Sequence, residues 1–137
     1  MPTDRLVPVL ATALLLAAPT HAQDAAAPEA TTENDFALAC AFDRECYDAE
    51  ACAETAYEMT VSGRVGGMGA GVVLARATLS AVSGDVEVFG TLGGGTLFLQ
   101  GGEGAARHYL AVTDGAARYS LHMAEGPVAI TYLGACE

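Results

Sequence analysis

From Tyr57 to the C-terminus the chain shows no apolar repeat of helical period; it alternates, and glycine-bearing dipeptides punctuate the alternation. Tyr57, Met59 and Val61 alternate with Glu58, Thr60 and Ser62, and Val86 and Val88 alternate with Asp85 and Glu87. A two-residue period is what a pleated strand imposes when one face is buried and the other is wet. Similar or more continuously apolar runs occupy residues 72–82, 96–100, 107–112, 116–123 and 128–133, so about seven short strands are expected. Ser83-Gly84, Asp114-Gly115 and Glu125-Gly126 supply the reversals, because glycine accepts the positive φ of a tight turn. The expected fold is all-β: a small antiparallel meander closing into a barrel or sandwich, since closure hides sheet edges that would otherwise recruit other chains.

The N-terminal part reads differently. Arg5 gives a positive start, residues 6–18 are apolar, and Thr20-His21-Ala22 resembles a small-residue cleavage site, so residues 1–22 read as an export signal peptide. The apolar run contains Pro8 and falls short of the roughly 20 residues a membrane helix needs, so no membrane span is expected after processing. Residues 23–37, Ala-rich and acidic, read as a flexible spacer, and residues 38–137 as one domain. Leu38-Ala39-Cys40 looks like a lipoprotein acylation box, but Asp24, Glu29, Glu33 and Asp35 separate it from the apolar run, so lipidation is not expected.

Cys40, Cys46 and Cys52 are evenly spaced and Cys136 stands alone near the end. Zinc sites favour pairs two to four residues apart and haem attachment needs Cys-x-x-Cys-His, so disulfides are the better reading in an exported chain. The segment between Asp43 and Ala53 also has the composition of a short helix. Four cysteines allow three pairings, which the sequence leaves open. In a closed antiparallel barrel with an even strand number, one different from the rough count of about seven, the last strand ends beside the start of the first, which favours Cys136 with Cys52 and leaves Cys40 with Cys46.

The formal net charge is −11 and there is no lysine. Such a chain lacks the clustered positive charge that nucleic acid or anionic lipid requires, whereas a basic protein is an admissible partner. The glycine clusters at 63–71, 93–95 and 101–104 precede no helical pattern, so they read as connectors and not as a phosphate cradle. No catalytic residues, metal ligands or cofactor are assigned. The excess of Ala and Gly and the single Asn34 point to a GC-rich bacterial genome, hence to the periplasm or the medium.

A two-residue loop at Asp114-Gly115 fixes the register of its hairpin: Leu110 faces Tyr119, His108 faces Leu121, and Arg107 faces His122. Successive side chains alternate faces, so His108, Leu110, Val112, Ala117, Tyr119 and Leu121 form a core face. Arg107, Tyr109, Arg118, Ser120 and His122 gather on the other, where they form a surface patch able to contact an anion or a carbohydrate. The bland alternative pairs these arginines with the acids of the cysteine segment. The two histidines fall on opposite faces and cannot share a metal or a nucleophile.

The Cys40, Cys46, Cys52 spacing and the ending Thr131-Tyr132-Leu133-Gly134-Ala135-Cys136 resemble small exported bacterial proteins of unassigned function, a likeness that implies no activity. Gly115, Arg118 and Tyr119 resemble, more distantly, the glycine-then-Arg-Tyr stretch of periplasmic inhibitors of animal-type lysozyme, which are small disulfide-bearing β-barrels. The expected function is a non-catalytic structural or interaction module of the envelope or medium. The alternatives are an inhibitor or binder of a basic secreted enzyme, which the second likeness implies, and a small-ligand-binding barrel.

Overall fold

The structure, a computed structural model, describes residues 34–67 and 71–137. The signal peptide and most of the spacer expected from the sequence therefore lie outside the described residues.

Eight strands follow in chain order: β1 (Asn34–Tyr47), β2 (Ala53–Gly66), β3 (Val72–Ala81), β4 (Gly84–Gly93), β5 (Thr96–Gly101), β6 (Ala106–Thr113), β7 (Ala116–Met123) and β8 (Val128–Cys136). Each pairs antiparallel with its chain neighbour, and β1 pairs with β8, so the meander closes into an up-and-down barrel. Closure leaves no sheet edge free. Asp114 and Gly115 both take positive φ, 49° and 81°, the combination that lets a two-residue loop match strand twist. Thr113 consequently faces Ala116, and Arg107 faces His122 as the loop length requires.

Three expectations change. The cysteine segment is not helical: it lies in β1 and in the tip of the β1–β2 hairpin, and no helix occurs among the described residues. Asn34–Ala37, assigned to the spacer, opens β1. The disulfides join Cys40 to Cys136 and Cys46 to Cys52, not Cys52 to Cys136 and Cys40 to Cys46. With β1 counted, the strand that meets β8 is the one carrying Cys40, and the register sets Cys40 directly opposite Cys136.

The interior follows strand parity. Val61, Leu79, Val88, Leu99, Leu110 and Phe42 are the largest fully buried side chains, and no polar or charged side chain is buried among the described residues. Alanines at 75, 77 and 117 fill positions where facing strands approach closely. Gly90 and Gly134 go further. A Cβ on Gly90 would land on the Phe98 carbonyl oxygen and one on Gly134 on that of Ala41, so the paired strands approach this closely only because those positions are bare. A register shift at Phe42–Arg44 adds a further local bend to β1.

Candidate functional site

The β6–β7 hairpin presents the residues expected on its outer face. Tyr109 is opposite Ser120, Ala111 opposite Arg118, and Arg107 opposite His122. The Tyr109 ring meets His122 edge-on at 5.4 Å, and the Ser120 and Thr131 hydroxyls are 3.1 Å apart. Arg107 Nη1 donates to the carbonyls of Ala106 at 2.7 Å, Gly104 at 3.2 Å and Gly102 at 3.4 Å, so the β5–β6 loop holds one corner of the guanidinium. Arg118 Nη1 donates to the Ala117 carbonyl at 2.9 Å. Neither arginine forms an ion pair among the described residues; the salt bridge seen there joins Arg64 to Asp35 at 3.6 Å. The arginines of the hairpin thus form no ion pair with the acids of the cysteine segment among the described residues, although Asp43 and Arg118 line one hollow.

The patch continues onto strands where the sequence had not placed it. Cross-strand rows run Arg76, Phe89, Gln100, Tyr109 and Leu74, Thr91, Phe98, Ala111 across β3 to β6. Phe89 is 62% exposed, Leu74 61%, Val72 58% and Phe98 42%, an apolar stripe on the outside of a barrel whose inside is already packed. Parity could have found it, because Val86 and Val88 facing in puts Phe89 out, and Leu97 and Leu99 facing in puts Phe98 out. Phe89, Gln100, Gly101, Gly102, Arg107 and Tyr109 line an open hollow of about 300 Å³ on this face.

No protein family, curated protein or solved structure matches this chain.

A second cluster closes the barrel end where β1, β3, β5 and β7 finish. Tyr57 and Tyr132 stack with centroids 4.6 Å apart, Tyr119 stacks 5.6 Å from Tyr132, and Phe42 lies about 6 Å from all three. His108 Nδ1 lies 2.6 Å from the Tyr119 hydroxyl, and the Tyr57 hydroxyl is 3.2 Å from Ser83 Oγ. Burial raises the Tyr119 phenol above its ordinary range, the neighbouring Tyr57 and Tyr132 adding to the effect. Burial and the Glu45 carboxylate beside it push Tyr132 up to about 12. Desolvation pulls His108 down, so its ring is neutral at neutral pH. His108 therefore serves the plug and His122 the outer face, on opposite sides of the sheet. No group of three or more His, Cys, Asp and Glu able to hold a metal occurs among the described residues.

Linkage gives this plug a signed pH response. A phenol whose folded pKa is raised contributes stability below the ordinary value, and that contribution is lost as pH climbs from the unfolded pKa toward the folded one. For Tyr132 the window opens near the ordinary phenol value and ends at about 12. For His108 the lowered folded pKa makes stability fall as pH drops through the unfolded imidazole value. A spectroscopic tyrosinate titration should show Tyr119 and Tyr132 ionising last and together with loss of the fold. Simultaneous ionisation of all the phenols with the barrel intact would contradict the buried plug.

Proposed function

We propose that this is an exported, non-catalytic interaction module of the bacterial envelope or medium, and that the outer face of β3 to β7 is its working surface for an anionic partner. The observation that carries this reading is the gathering of Arg76, Arg107 and Arg118, none ion-paired among the described residues, around the exposed Leu74, Phe89 and Phe98. On a chain of net charge −11, cations are scarce. An exposed apolar patch edged by them has the make-up of a contact surface. Two disulfides fit an oxidising compartment, and the signal-like residues 1–22 supply the route to one.

A thermal-shift titration with polyaspartate, a simple polyanion, tests the surface. Wild type should gain stability, and the triple variant Arg76→Gln, Arg107→Gln, Arg118→Gln should not. Equal gains would remove this face from consideration.

The second reading, a binder of a basic secreted enzyme, is favoured by a different feature. Asp48, Glu50, Glu54, Asp85, Glu103 and Glu125 are exposed in or beside the loops at the plugged end, with Arg44 and Arg107 as the nearby cations. Tight lysozyme binding that survives the triple arginine variant and is lost when Asp48, Glu50 and Glu54 are neutralised would move the function to that rim.

A further inference from the structure

We propose that the hollow lined by Phe89, Gln100, Gly101, Gly102, Arg107 and Tyr109 is a subsite for a carboxylate-bearing oligosaccharide; this rests on the reading that the outer face is the working surface. Phe89 and Tyr109 occupy one cross-strand row with Gln100 between them. Two strand spacings set their Cα positions roughly 10 Å apart, about the length of a disaccharide. Aromatic rings standing on a sheet offer flat faces to the C–H surfaces of sugar rings. Gln100, whose amide offers donors and an acceptor to hydroxyl groups, stands between them in the row.

The acid is assigned from Arg107. Its Nη1 donates to the carbonyls of Gly102, Gly104 and Ala106, which tethers one corner of the guanidinium at the edge of the hollow. Its Nε and Nη2 have no acceptor among the described residues, and a guanidinium held this way suits a planar carboxylate. Arg76 stands at the other end of the row, opposite Phe89, so an acidic sugar can be met at either end. The floor between them is backbone. A Cβ on Gly101 would overlap the Glu87 carbonyl and meet the buried Val88, and one on Gly102, whose φ is +117°, would meet the Ala106 carbonyl and the His108 ring, so both positions are bare where the chain packs closely.

Other occupants fit less well. A closed barrel has no edge on which a peptide could add as a strand. Glu87 and Glu103 stand beside it, exposed, and would repel a dense array of lipid phosphates. Carboxylates spaced one per sugar among neutral hydroxyls are a sparser charge than packed lipid phosphates, and Glu87, already accepting from Thr78 Oγ1 at 2.5 Å, is one more acceptor for a sugar hydroxyl.

The test is an NMR titration of the labelled protein with an oligogalacturonate, its neutral galactose counterpart and polyaspartate. Amide shifts at Phe89, Gly101, Gly102 and Tyr109 with oligogalacturonate, weakened about tenfold or more in Arg107→Gln and with the neutral oligomer, are expected. Because Arg107 also braces its loop, the exposed Phe89→Ala variant is run in parallel and should lose affinity with its fold unchanged. Equal affinity for acidic and neutral oligomers, or unchanged affinity in Phe89→Ala, would overturn the proposal. If polyaspartate shifts the arginine face while oligogalacturonate leaves the hollow untouched, the saccharide falls and the working surface stands. If neither perturbs the face, both fall.

Discussion

Replacing Cys40 and Cys136 together by alanine is expected to lower stability by roughly 4–5 kcal/mol, about twice the loss from the Cys46→Ala, Cys52→Ala pair, if loop-closure entropy dominates. The separations set the ratio. Cys40 and Cys136 are 96 residues apart and Cys46 and Cys52 only 6, so the first bridge removes far more freedom from the unfolded chain. The folded state adds to the contrast: Cys40 and Cys136 are buried at the β1–β8 seam, whereas the other bridge sits at a hairpin tip where Cys52 is exposed. Pairing β1 with β8 also joins the two ends of the described domain, the contact of longest loop and highest closure cost. Urea unfolding of wild type and both double variants measures the difference. Equal losses would mean that the seam is held by its hydrogen bonds and packing, with the bridge redundant.

How far the sequence could be read depended on how local the determining signal was. The β6–β7 register was legible because two residues, Asp114 and Gly115, decide it. β1 escaped because its outward positions at 37, 39 and 41 are alanines, so the inward Phe36, Leu38, Cys40 and Phe42 lost the polar contrast that makes a two-residue period visible. The acids and alanines that follow carry helix propensity, and the barrel overrode it. Without β1 the closure shifts by one strand, which exchanges Cys40 and Cys52 as the partner of Cys136. The outer face was legible on β6 and β7, where the hairpin turn sets the neighbours. Its extension to Phe89 and Arg76 depends on the β4–β5 and β5–β6 registers, which pass through Gly94-Gly95 and the longer 102–105 loop. Side-chain parity identified candidates for exposure there, but only the closed sheet aligns Arg76, Phe89, Gln100 and Tyr109 in one row.

Phe42→Ala is expected to cost about 3–5 kcal/mol, the range for removing a buried aromatic ring from a packed core. Phe42 is 2% exposed and borders every ring of the plug: Tyr57 at 6.1 Å, Tyr119 at 6.0 Å and Tyr132 at 6.1 Å. It also sits opposite Gly134, whose missing side chain lets β8 lie close against β1. Those strands are bent and bridged by Cys40–Cys136 nearby, so they have little freedom to collapse into the space, and the cavity term stays large. Water admitted beside the phenols would relieve their desolvation, so the Tyr132 pKa should fall from about 12 toward the ordinary phenol value. The polyaspartate response should not change, because the ring lies inside the barrel while Arg76, Arg107 and Arg118 lie outside it. Unfolding and tyrosinate titrations of Phe42→Ala beside the conservative Phe42→Leu separate the two effects. A late Tyr132 ionisation preserved in Phe42→Ala would assign its shift to the Glu45 carboxylate instead of burial, and a stability loss under about 1 kcal/mol would show that the plug closes over the gap.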